Sequence, residues 1–104
     1  MPGSNVVAKR LRQARLRQGI SQRQLGIRVG MDPSSASARI NHYERGRHVP
    51  DLATAARLAG VLNVPPPYLY AQSDALAAWI LVFARISPTL RRSILRKTFD
   101  LRTP

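Results

Sequence analysis

The sequence predicts an all-α protein, a five-helix domain followed by two more helices. Three observations carry that reading. Apolar residues recur at three- and four-residue intervals, as on one side of a helix, and nowhere alternate as on a half-buried strand. Serine, aspartate, glycine and proline punctuate these runs where helices start and stop. Finally, 104 residues with 44% hydrophobic content have room for one compact core and little more.

The first helix is predicted over about Asn5 to Gln18, with Ser4 as its N-cap and Gly19 as its stop. Val7, Leu11 and Ala14 form its inward stripe, and Lys9, Arg10, Arg12 and Arg17 fall mostly outside it. Ser21 and Gln24 have capping-box spacing and open a second helix of about eight residues, which Gly30 ends. Asp32 as N-cap and Pro33 at the first helical position then predict a third helix, held down by Ala36, Ile40 and Tyr43 and closed by Gly46. A fourth is predicted over Leu52 to Leu62, with Leu52, Ala55, Leu58, Ala59 and Leu62 inward, before Pro65-Pro66 breaks it. A short fifth helix, about Pro67 to Ala71, brings in Tyr68 and Leu69.

Beyond residue 72, Asp74 can cap a helix from about Ala75 to Arg85 and Ser87-Pro88 one from about Thr89 to Phe99. In ALAAWILVFARI the apolar residues run almost all the way round, so this helix needs burial on more than one side. The last helix sets Leu90, Ile94 and Leu101, with Leu95 or Phe99, against a basic face of Arg91, Arg92, Arg96 and Lys97. Residues 1–72 are thus expected to form one domain, and 73–104 a helical extension that packs on it or dimerises.

Charge narrows the function. The 17 Lys and Arg outnumber the 5 Asp and Glu, for a formal charge of +12, and polyanions are the natural partners. Ten basic and two acidic residues lie in 1–48, while 49–90 balance to zero, giving a basic head, a packing centre and a basic tail. With no cysteine there is no disulfide or thiolate metal site. The N-terminus lacks the apolar stretch of a secretory signal, and the longest apolar run, Ala75 to Ala84, is about half of what spans a bilayer. His42 and His48 have no catalytic partner at a suitable spacing, and no Gly-rich phosphate loop is present. The expectation is a cytoplasmic protein that is not an enzyme and needs no cofactor or metal.

Two short helices joined by a tight turn, the second poor in apolar residues, form a helix-turn-helix pattern. Around it stand Leu11-Arg12, Arg15, Gly19, Ser21-Gln22, Leu25, Gly30, Glu44-Arg45-Gly46, Pro50, Leu58-Ala59, Leu62 and Leu69. Across about residues 6–70 this text resembles the xenobiotic-response-element (Cro/phage repressor-like) helix-turn-helix regulators. The resemblance implies a repressor-like DNA-binding domain of bacterial or phage origin whose third helix enters the major groove. It implies a phosphate contact for Gln22 and a structural ion pair between Arg15 and Glu44. Arg23, Arg45 and Arg47 join Gln22 as phosphate candidates.

Two departures stand out. Gly26 occupies a position where the family usually has alanine. The family also places its glutamate about ten residues after the turn glycine, whereas Gly30 and Glu44 are fourteen apart. Since four residues make about one turn, an extended recognition helix over about 33–45 would keep both ends in phase. Aligned from the turn, Pro33, Ser34 and Ala38 take the reading positions; aligned from Glu44, Ser37, Ala38 and His42 do. Ser34, Ser37, Arg39, Asn41 and His42 are the base-reading candidates, because they carry donors and acceptors. Trp79, Ile80, Phe83 and Ile86 are candidates for dimer or internal packing, and a homodimer on a palindromic operator is expected. The competing reading is an antitoxin-like or regulatory module whose C-terminal helices bind another protein, with DNA binding secondary.

Overall fold

The computed structural model describes residues 2–99, and no strand occurs among them. Six α-helices and one 3-10 turn follow in order: α1 Pro2–Gln18, α2 Gln22–Arg28, α3 Ala36–Glu44, α4 Leu52–Leu62, the 3-10 turn Pro66–Tyr70, α5 Asp74–Arg85 and α6 Pro88–Phe99. This is the expected all-α, repressor-like arrangement with two added C-terminal helices.

α1 begins at Pro2, so Ser4 lies inside the helix rather than at its cap. Its other end is as expected: Gly19, at φ +69°, lets the Ile20 amide turn back to the Arg15 carbonyl at 3.4 Å. α2 opens with a complete capping box, the Gln24 amide donating to Ser21 Oγ at 3.0 Å and the Ser21 amide to Gln24 Oε1 at 2.8 Å.

The third helix corrects the sequence reading. It starts at Ala36, not Pro33, and Asp32 does not cap it. The Asp32 carboxylate is taken locally, accepting from the Ser34 amide at 2.8 Å and the Ser34 hydroxyl at 2.6 Å, while the Ser35 amide closes a turn on the Asp32 carbonyl at 3.0 Å. The four extra residues therefore lengthen the turn and leave the helix short. Gly46, at φ +72°, ends it as expected.

α4 has the expected bounds, with Asp51 Oδ1 accepting from the Thr54 amide at 2.7 Å. Leu52 is a second correction. It sits in the first turn, ahead of the packed face, and is 79% exposed, while Thr54 is buried beside Ala55. Asn63 closes α4 in the left-handed conformation, and Gln18 Nε2 donates to the Leu62 carbonyl at 3.0 Å.

Leu11, Leu25, Ile40, Leu58, Leu62, Tyr68 and Leu69 are the largest fully buried side chains, so one core unites α1–α4 and the 3-10 turn. Arg10 is the third correction. It is 2% exposed rather than outward, because its guanidinium is covered by the segment that joins the 3-10 turn to α5. There it donates to the Ala71 carbonyl (2.8 Å), the Gln72 carbonyl (3.4 Å), Gln13 Oε1 (3.1 Å) and Asp74 Oδ1 (2.9 Å). Asp74 is thereby an ion-pair partner of Arg10 and Lys9, and Ser73 caps α5 instead, accepting from the Leu76 amide at 2.9 Å. Ser87 caps α6 through the Leu90 amide at 3.1 Å, as expected, whereas Leu101 lies outside the described residues. α5 touches the core through Ala77, Ile80 and Leu81, α6 buries no residue, and the molecule extends 51 × 27 × 23 Å.

Candidate nucleic-acid interface

α3 is anchored from one side only. Ala36 and Ile40 are fully buried, and Ala36 lies against Gly26 of α2, where a Cβ would stand 2.6 Å from the Ala36 Cβ. Gly26 is thus the close approach of two helices, and the departure to glycine has a packing reason.

The C-terminal end of α3 is held by charge. Arg15 and Glu44 form a two-pronged pair, through Nε to Oε2 and through Nη2 to Oε1 at 3.0 Å, with side-chain exposures of only 11% and 3%. Arg15 Nη1 also donates to the Ile20 carbonyl at 2.9 Å. The hydrogen bond to Glu44 holds the guanidinium pKa above its ordinary value, so the cation is permanent. Gln22 bridges α2 to the same place, its Nε2 donating to Asn41 Oδ1 at 3.2 Å and Glu44 Oε1 at 3.1 Å.

What is left outward on α3 is a polar ridge. Ser37, Ala38 and Arg39 are exposed, Asn41 and His42 half-buried, and Arg45 exposed at the C-cap. Ala38, Asn41, His42 and Arg45 follow the i, i+3, i+4, i+7 spacing of one helix side, opposite Ile40. Arg45, expected as a phosphate contact, therefore continues the ridge at the C-cap. Ala38, left out of the base-reading candidates for want of a donor or acceptor, begins it, and that spacing was the signal available for both. Ser34 is off the helix, with its hydroxyl spent on Asp32.

The loop after α3 folds back on it. The Arg47 amide donates to the His42 carbonyl at 2.9 Å, and the His42 and His48 rings stack with centroids 5.2 Å apart. Arg39, Tyr43, Val49 and Asp51 join them around a surface cleft of about 410 Å³. Arg23 of α2, Arg39 of α3, Arg45 at its C-cap and Arg47 in the following loop are all exposed. Of the two acids in the same span, Glu44 is buried on Arg15 and Asp32 is held by Ser34. Among the described residues no cluster of three or more metal-ligating side chains occurs, and no helix is long and apolar enough to cross a membrane.

A helix anchored along one side, with an outward polar ridge and exposed arginines on it and on its neighbours in the chain, has the form of a DNA-reading element. The Helix-turn-helix family model matches residues 11–69, from Leu11 to Leu69. The chain belongs to the Cro/C1-type helix-turn-helix family. Among solved structures it is similar to the crystal structure of the transcriptional regulator BswR, at 48% identity over 90% of this chain and 93% of that one, with a TM-score of 0.83. No curated protein matches.

Within this helix-turn-helix frame, the turn Met31–Ser35 holds residues that the sequence reading assigns to the start of α3, and the helix runs from Ala36 to Glu44. The Arg15–Glu44 pair fixes that end. The C-terminal candidates divide: Ile80 and Ile86 are half-buried, Ile80 packing against the core, whereas Trp79 and Phe83 face outward.

Proposed function

We propose that this protein is a sequence-specific transcriptional repressor that inserts α3 into the major groove and binds a palindromic operator as a homodimer. The observation that carries the reading is the ridge itself: a helix with its inner side fully packed and its outer side left polar and unpacked. A globular core has no use for that side, whereas a groove about 12 Å wide accepts it.

With α3 registered from Glu44, Ser37, Ala38 and His42 take the reading positions, and Asn41 and Arg45 flank them. Ala38 suits the methyl group of thymine, Asn41 adenine, and Arg39 or Arg45 guanine. Arg23 and Arg47 serve phosphates on either side. Gln22 acts by bracing Asn41 and Glu44, since both hydrogens of its amide already donate to them. Repression needs only that an occupied operator exclude polymerase, and the place of action is the bacterial cytoplasm, where the chromosome is.

Selection of bound duplexes from a random pool, followed by salt titration against unselected DNA, tests the reading. A specific reader keeps a large affinity ratio as salt rises. Adhesion through +12 alone loses both affinities together. A second reading, a module that binds another protein through its C-terminal helices, is favoured by the exposed apolar side of α5 and α6. A selection that enriches no sequence would support it over the first.

A further inference from the structure

The two histidines of the chain meet at the outward ridge of α3. The His42 carbonyl accepts from the Arg47 amide at 2.9 Å and from the His48 amide at 3.4 Å. The loop is thereby pinned to the residue it has just left. The His48 ring returns against the His42 ring, with centroids 5.2 Å apart and planes inclined by 30°. His42 is half-buried and His48 exposed, so the stack lies at the surface and holds no part of the core.

A second ring limits how an imidazole turns. An unsupported histidine on a helix samples several rotamers, and a reading side chain that is already ordered loses less freedom on binding. Charge decides whether the support holds. A neutral imidazole carries one donor and one acceptor nitrogen, a protonated one two donors, and histidine is the side chain that changes charge between about pH 5 and 8. Two imidazolium rings at this separation repel. Arg39 and Tyr43 of α3 line the same cleft, and Arg45 and Arg47 adjoin the pair in the chain, so the arginines add to the positive field. Asp51, at the start of α4, is the acid lining the cleft, and its Oδ1 already accepts from the Thr54 amide at 2.7 Å.

We propose that His48 positions His42 for base reading, and that the stacked pair makes sequence preference depend on pH. The inference rests on α3 as the DNA-reading element. In the neutral pair the ordered His42 ring offers base edges both a donor and an acceptor. Once both rings are charged the stack opens, and each imidazolium follows phosphates of any sequence. Preference therefore falls with pH, while affinity for random DNA rises.

Full-length protein is titrated with a duplex selected from a random pool and with an unselected one, at fixed salt, from about pH 8 to about pH 5.5. The wild-type ratio of the two affinities should fall about 10-fold across that range, the weight of one base contact. His48→Ala should begin about 10-fold below the wild-type ratio at the alkaline end and change less with pH. His48→Phe keeps a ring to stack and cannot charge, so it should restore the alkaline ratio and lose less of it in acid. His48 is exposed, and neither substitution opens the core. Without DNA, nuclear Overhauser contacts between the two rings of the wild type should be present at the alkaline end and lost in acid. A wild-type ratio flat in pH, a His48→Ala ratio equal to wild type, or ring contacts unchanged by acid overturns the inference and leaves α3 as the reader. A pool that yields no preferred duplex overturns the DNA-reading role and this inference with it.

Discussion

Gly26 and Ala36 meet at the tightest point between α2 and α3: a methyl group on Gly26 would lie 2.6 Å from the Ala36 Cβ and 3.0 Å from both its Cα and its carbonyl oxygen. Two of those neighbours are backbone, so nothing flexible can yield. Gly26→Ala gains helix propensity worth up to about 1 kcal/mol. The overpacking it causes costs typically about 1–3 kcal/mol, and the balance should be destabilising. Denaturant unfolding should show a lower midpoint at unchanged slope, and a midpoint at or above wild type would mean the helices part freely.

The Arg15–Glu44 pair should behave as a buried bridge. Glu44→Ala strands the Arg15 cation, 11% exposed, and is expected to cost about 3–5 kcal/mol. Replacing both residues by Met and Leu should recover much of that loss. A double-mutant cycle checks it, and a Glu44→Ala variant of wild-type stability would mean that α3 is held by apolar packing alone.

Arg10 ties the helix-turn-helix domain to α5. Arg10→Ala removes hydrogen bonds to two carbonyls and to Asp74, and should lower stability by about 2–3 kcal/mol. It should also slacken the angle of α5, so that binding to a two-half-site operator suffers more than binding to one half-site. Equal losses on the two duplexes would argue against any positioning role.

Acid should weaken the fold through its carboxylates. The Thr54 amide holds the Asp51 carboxyl below its ordinary 3.8, and hydrogen bonds from Lys9 and Arg10 do the same for Asp74. A folded-state value below the unfolded one stabilises at pH above about 3.8, and the gain is lost as pH falls through that value into the folded range. The Asp51→Asn/Asp74→Asn variant should be less stable than wild type at neutral pH, with the gap closing in acid. Melting curves that stay parallel down the pH scale would contradict this.

Much of the fold is legible in the sequence because local and tertiary preferences agree there. Ser21 and Gln24 form the capping box their spacing implies, and Leu58, Ala59 and Leu62 lie inward as their period requires. The start of α3 was not legible, because Asp32 is equally suited to capping a helix and to an Asx-turn. Ser34, two residues on, satisfied the second with both amide and hydroxyl. Arg10 was hidden for a different reason: an arginine in a basic run ordinarily faces water, and three of its partners, Ala71, Gln72 and Asp74, lie more than sixty residues away. The candidate site was half legible. Periodicity identifies the outward ridge from Ala38 to Arg45 once the register of α3 is known, but that register depends on how the turn absorbs four residues.

The most direct test is the affinity of the α3 variant Arg39→Ala/Asn41→Ala for a selected duplex and for random DNA, with Arg47→Ala in parallel. The double variant should stay folded and lose most of its preference for the selected sequence. Arg47→Ala should weaken both duplexes alike and lower the salt slope by about one. A double variant that still prefers the selected duplex as strongly as wild type does would place the reading of sequence somewhere other than this face of α3.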